Sequence, residues 1–188
     1  MASTSDFRTG FTFKYNNDLV SIIEFQHVKP GKGPAFVRTK LRSLTTGRVL
    51  ENTFNSGVKV EDVRIERRKY QYLYPETDGF HFMNTETFEQ IFIEKRMIDA
   101  ADLLQEGLVV EIVFHAEEEL PLQVDLPTNI VATVAYTEPG VKGDTATNTL
   151  KPATIETGAE IKVPLFINEG DKIRVDTKTK SYVERVKS

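Results

Sequence analysis

Ala35-Phe36-Val37-Arg38-Thr39-Lys40-Leu41 alternates apolar and polar side chains, Thr45-Thr46-Gly47 supplies a turn, and Arg48-Val49-Leu50-Glu51-Asn52-Thr53-Phe54 returns. Period-two alternation puts successive side chains on opposite faces of an extended chain, so this stretch predicts a half-buried β-hairpin. Arg38, Lys40 and Arg42 have one parity and share one face. That face is either the solvated outside of a sheet or a phosphate-contacting stripe, and the residues alone leave both readings open.

The pattern repeats on either side. Upstream, Phe11-Thr12-Phe13-Lys14-Tyr15 alternates, Asn16-Asn17-Asp18 turns, and Leu19 to Phe25 resumes as a strand. Between the two hairpins lies Lys29-Pro30-Gly31-Lys32-Gly33-Pro34, in which proline fixes φ and glycine tolerates positive φ. This predicts a tight turn with Lys32 at its apex; it lacks the spacing of a Walker phosphate loop, and alone it reads as a solvated hairpin tip. Downstream, Val58 to Glu66, Tyr70 to Tyr74, Phe80 to Met83, Leu108 to Phe114, Ile130 to Tyr136, Glu160 to Ile167, Lys172 to Val175 and Ser181 to Val186 all read as strands. One segment has helical spacing, Lys95 to Glu106, with Met97, Ile98, Ala101 and Leu103 or Leu104 recurring near every third or fourth residue before Gly107.

Short strands, regular turns and one short helix predict an all-β protein of three small β-barrels, covering residues 1–66, 67–126 and 127–188, with the helix in the middle barrel. Each unit is about 60 residues, the size at which a single core is marginal. Phe11 with Phe13, and Tyr70 with Tyr72 and Tyr74, share parities that suit inward core residues or an exposed base-stacking platform.

The 188 residues carry 24 Lys+Arg and 28 Asp+Glu, a net charge of −4, but the distribution is uneven. Residues 1–68 hold 12 basic and 7 acidic side chains (+5), residues 69–126 hold 3 and 13 (−10), and residues 127–188 hold 9 and 8 (+1). Between Glu24 and Glu51 there is no acid, while Lys29, Lys32, Arg38, Lys40, Arg42 and Arg48 are basic, as phosphate contact requires. With no Cys, disulfides, thiol nucleophiles and cysteine-based zinc sites are excluded, which suits a reducing cytoplasm. Apolar runs reach about five residues with breaks, far below the roughly 20 of a membrane-spanning helix. Met1-Ala2-Ser3-Thr4-Ser5-Asp6 has no signal-peptide character. His27, His81 and His115 are scattered and lack a ligand partner at a recognised metal spacing, so structural or surface roles are expected and no metal site. No Gly-x-Ser-x-Gly elbow or other reactive constellation is present, which argues against an enzyme.

The chain resembles bacterial translation elongation factor P along its whole length. The residues that carry the resemblance are Lys29-Pro30-Gly31-Lys32-Gly33, Ala35-Phe36-Val37-Arg38, Tyr72-Leu73-Tyr74, Phe80 to Asn84, Glu86-Thr87-Phe88-Glu89-Gln90, Pro139 to Thr145, Lys151-Pro152-Ala153-Thr154, Val163-Pro164-Leu165-Phe166, and Tyr182-Val183 with Arg185-Val186. The resemblance implies an L-shaped arrangement of a KOW/SH3-like amino-terminal barrel and two OB-fold barrels. It also implies a ribosome-binding, non-enzymatic, cytoplasmic factor that positions peptidyl-tRNA and relieves stalling at consecutive prolines. By that resemblance Lys29, Pro30, Gly31, Lys32, Gly33 and Pro34 form the loop near the peptidyl-tRNA acceptor end, with Lys32 a candidate site for covalent modification by a lysine-modifying enzyme. Gly143, Asp144 and Thr145 match the loop at the mRNA codon in the exit site, and Tyr182 and Arg185 match positions beside the anticodon stem. Arg38, Lys40 and Arg42 are added from the acid-free stretch as contacts to tRNA phosphate. A monomer without cofactor or membrane partner is expected. A general single-stranded nucleic-acid-binding OB protein is the competing reading; the −10 middle third counts against a continuous backbone groove.

Overall fold

The computed structural model describes residues 1–140 and 149–187. Its described strands form three antiparallel sheets that follow one another along the chain. The first contains β1 (Ala2–Ser3), β2 (Thr12–Tyr15), β3 (Asp18–Val28), β4 (Phe36–Ser43), β5 (Val49–Asn55) and β6 (Lys59–Asp62), in the order β1-β6-β2-β3-β4-β5. The second contains β7 (Ile65–Glu76), β8 (Gly79–Asn84), β9 (Gln90–Glu94), β10 (Val109–His115) and β11 (Leu120–Asp125), in the order β11-β10-β7-β8-β9. The third contains β12 (Asn129–Thr137), β13 (Leu150–Ile155), β14 (Glu160–Pro164), β15 (Lys172–Asp176) and β16 (Ser181–Val186), in the order β14-β13-β12-β15-β16. The terminal strands β14 and β16 approach each other, which curls this last sheet toward closure and shields its edges. By contact density the chain divides into two compact units, Met1–Arg68 with Ile112–Gln123, and Lys69–Glu111 with Val124–Ser188.

Alternation sets the first core. Val37, Thr39, Leu41 and Ser43 on β4 point inward, and Phe7, Phe13, Val20, Ile22, Phe54 and Val60 complete the cluster. Phe13 is fully buried and its ring lies 5.4 Å from Phe7 and 5.9 Å from Phe54, so the Phe11/Phe13 pair is core rather than an exposed platform. The third core is aliphatic, from Ile130, Val134, Ile155, Ile161, Val163, Ile167, Ile173 and Val175.

The helix expected over Lys95–Glu106 is instead two single 3-10 turns, Lys95–Met97 and Ala101–Leu103. Ile98 between them is extended (φ −125°, ψ 107°) and bridges Val124. The apolar spacing that reads as a helical face serves a different purpose: Ala100 and Leu103 plug the core of the third barrel. Asp102 and Gln105 anchor the plug through Lys180 Nζ (2.8 Å), the Val131 carbonyl (2.9 Å) and Glu156 (3.0 Å).

Within the first unit, Arg68 donates to Glu119 (2.6 and 2.9 Å) and Glu66 (2.8 Å), with its guanidinium 4.6 Å from the centre of the Phe114 ring. The Ala116 amide donates to the Arg64 carbonyl beside it. The hydrogen bonds from Arg68 hold the Glu119 carboxyl below its ordinary range, while Glu119 and Glu66 hold the Arg68 guanidinium above its own.

Two consequences are measurable. Phe13→Ala removes a fully buried ring and should cost about 3–5 kcal/mol in urea unfolding. The folded Glu119 pKa is depressed, so its contribution is present above the unfolded value of about 4.3 and disappears as pH falls through the folded value. Glu119→Gln should therefore melt lower than wild type near pH 6, and the gap should close on acidification toward pH 3.

Candidate functional site

The seven-residue connection between β3 and β4 has an anchored base and a free apex. Val28 pairs with Phe36 and His27 with Val37; Val37 is fully buried, and the Ser56 amide donates to the Ala35 carbonyl (2.9 Å). Arg38 places its guanidinium 5.5 Å from the Phe36 ring centre. Above that base Gly31, Lys32, Gly33 and Pro34 are exposed, as is Lys29, with Pro30 half-buried. Gly33 has φ +109°, a conformation closed to ordinary L-residues, whereas Gly31 has open space around it. In place of the tight turn expected at residues 29–34, the chain bends through Gly31, Lys32 and Gly33 in a wider loop that presents a primary amine above an anchored base.

Arg38, Lys40 and Arg42 do share the outer face of β4, opposite the buried Val37, Thr39 and Leu41. The register adds what chain order conceals. Glu24 on β3 and Glu51 on β5, the two acids that bracket the acid-free stretch, are both paired with Lys40. Glu24 Oε2 lies 3.1 Å from Lys40 Nζ. An open polar groove of about 510 Å³ crosses this face, lined by Glu24, Gln26, Arg38, Lys40, Glu51 and Thr53. The stripe is therefore a mixed-charge surface with a basic excess rather than three isolated cations.

β3 carries a bulge between Ile22 and Glu24 that resets its parity. Phe25 and His27 consequently lie opposite inward-facing Thr39 and Val37, yet at the rim of the core, where both are exposed and their rings meet edge-on at 5.7 Å. No pattern in the sequence marks that bulge.

In the third sheet a bulge at Val183 brings Tyr182 and Arg185 to one face: Tyr182 pairs with Val175 and Arg185 with Ile173. Residues three apart on a regular strand would face opposite ways. Tyr182 packs against the aliphatic core, while exposed Arg185 sits 5.6 Å from the Phe166 ring centre and 4.0 Å from Asp171 Oδ2. Gly143, Asp144 and Thr145 lie outside the described residues.

His115 is buried and its Nδ1 accepts from the Glu118 amide, His81 bonds Glu76, and His27 is exposed. Among the described residues no three His, Asp or Glu side chains gather as a metal site would require.

Three family models cover the chain in order: an elongation factor P KOW-like domain over residues 3–60, an elongation factor P OB domain over 65–124, and an elongation factor P carboxy-terminal domain over 130–185. The chain belongs to the elongation factor P family. It is 61% identical to elongation factor P of Flavobacterium johnsoniae and 62% identical to that of Flavobacterium psychrophilum, each over 187 residues and the full length of both chains. Elongation factor P of Bacteroides fragilis is 53% identical over 188 residues, again at full length. Among solved structures, eukaryotic translation initiation factor 5A from Methanococcus jannaschii superposes with a TM-score of 0.52 at 22% identity, covering 67% of this chain and 90% of that one; this likeness is one of fold. The all-β, KOW-plus-OB architecture expected from the sequence is the architecture found, and the protein is a translation factor.

The two apex glycines should behave differently. Gly31→Ala should be neutral or stabilise by up to about 1 kcal/mol, because nothing crowds it. Gly33→Ala should cost about 1–2 kcal/mol, because alanine is strained at that φ; equal effects from the two would contradict the loop geometry.

Proposed function

We propose that this protein binds the ribosome as a cytoplasmic monomer, approaches the acceptor end of peptidyl-tRNA with the Lys29–Pro34 loop, and accelerates peptide bond formation at consecutive prolines. The observation that supports this most is the pairing of an exposed Lys32 with a loop base rooted on fully buried Val37. A lysine ammonium is a compact charge that donates to phosphate and 2′-hydroxyl oxygens in a crowded RNA site. Proline is a poor peptide acceptor with a stiff ring, so reactive geometry is hard to reach. Holding the peptidyl-tRNA end lowers the entropic part of that barrier, and the bond is made by the ribosome rather than by this chain.

Arg38, Lys40 and Arg42 contact tRNA phosphate, with Glu24 and Glu51 tempering Lys40. Tyr182 and Arg185, on one face of β16, contact the anticodon stem, and Gly143, Asp144 and Thr145 reach the exit-site codon. Pro30 and Pro34 bracket the apex and restrict its unbound states, which makes covalent modification of Lys32 less necessary. The domains of this reading are residues 1–66, 67–126 and 127–188.

Translation of a reporter carrying Pro-Pro-Pro tests the apex. Wild type should relieve the stall and Lys32→Ala should lose most of that relief; equal rescue would overturn the mechanism. Intact mass of protein from its native host tests the proline argument, since an adduct on Lys32 that activity requires would contradict it. Arg38→Ala/Lys40→Ala/Arg42→Ala should bind ribosomes with a shallower dependence on salt, and an unchanged slope would remove these residues from the phosphate contacts.

A further inference from the structure

Tyr70, Tyr72 and Tyr74 share a parity in the sequence, but they do not share a face. A bulge at Leu73 shifts the register, so Tyr70 and Tyr72 are buried while Tyr74 is half exposed. Tyr74 is paired with His81 on β8, and His81 with Phe92 on β9. Three rings therefore lie side by side across three adjacent strands, on the face opposite buried Phe82 and Ile93. Tyr74 and His81 are stacked with centroids 4.6 Å apart, and Phe92 is 5.4 Å from His81 and 42% exposed.

The next row on that face is Glu76, Gly79 and Glu94, also paired in register. Gly79 is obligatory for a steric reason: a Cβ there would stand 2.6 Å from the Phe92 ring and 2.2 Å from the Ile93 carbonyl oxygen. Its absence lets Phe92 lie over the strand. Glu76 Oε2 holds His81 Nε2 at 2.5 Å, and Glu94 Oε2 receives Arg96 Nε at 2.5 Å. The surface is an aromatic row with a carboxylate at each end of the adjacent row.

We propose that this face of β7, β8 and β9 docks an arginine-bearing basic segment of a protein partner. A guanidinium is planar and stacks on aromatic faces while its N–H groups reach carboxylates, which is the combination of groups assembled here. The chain already demonstrates the polar half of that contact, because Arg96 engages Glu94 on the rim. Charge complementarity selects the occupant: residues 69–126 carry 13 acids and 3 bases, so a nucleic-acid strand stacking on the same rings would run its phosphates past Glu76 and Glu94. This surface shares no residue with the apex loop, and the proposal does not depend on the function proposed for Lys32.

Titration of isotope-labelled full-length protein tests it, using the peptide acetyl-Gly-Arg-Gly-Arg-Gly-amide, its lysine counterpart and an oligouridylate octamer as probes. The arginine peptide should shift the amides of Tyr74, Gly79, His81 and Phe92 and bind more tightly than the lysine peptide. Tyr74→Ala/Phe92→Ala should weaken binding about tenfold, in line with the loss of two exposed cation–π contacts. Tyr74→Leu keeps apolar bulk but not the π face, and should weaken binding as Tyr74→Ala does. Binding undiminished in Tyr74→Leu, shifts elicited by the octamer in place of the arginine peptide, or no shift at these amides with that peptide would each overturn the proposal.

Discussion

The apex loop depends on the burial of Val37. That side chain is fully enclosed one residue beyond the first ladder pair below the loop, so the loop springs from the core and not from a frayed strand end. Burying a valine stabilises by about 1.5–3 kcal/mol, which offsets part of the entropy lost in ordering the loop above the Val28–Phe36 pair. Gly31 and Gly33 then shape the apex, and Pro30 and Pro34 limit what it can do when unbound. In the proposed mechanism a lysine on so short a tether contributes position as well as charge.

Register, more than composition, decides what surrounds that lysine. The first third of the chain is basic by count, yet the fold brings Glu24 and Glu51 to either side of Lys40. Exposed ion pairs of this kind add little stability, so their effect is chiefly on the field that a phosphate would meet. The middle barrel shows the opposite pattern, with an acidic composition and an aromatic row exposed on its outer face. The two barrels thus offer chemically distinct surfaces on the same small-barrel architecture.

Much of the fold was legible in the sequence because alternation is a strong signal where one face of a sheet is buried. Val37, Thr39 and Leu41 point inward and Arg38, Lys40 and Arg42 outward, as parity requires. Strand β16 spans Ser181–Val186, the stretch expected. What was not legible traces to bulges. Those near Ile23, Leu73 and Val183 each insert one residue and invert parity beyond it, which exposes Tyr74 and brings Tyr182 and Arg185 to one face. The Lys95–Glu106 segment misleads for a related reason: Ala100 and Leu103 are buried because they plug the core of the third barrel, and helical spacing is incidental to that.

In the proposed mechanism a rooted lysine loop positions the peptidyl-tRNA end and takes no part in bond chemistry. The temperature dependence of a single Pro-Pro bond-forming step on purified ribosomes, with and without this protein, tests it most directly. Positioning predicts a less unfavourable activation entropy with an unchanged activation enthalpy, and an unaltered pH profile of the step. Acceleration carried by a lower activation enthalpy, or by a new titrating group in the pH profile, would contradict the account.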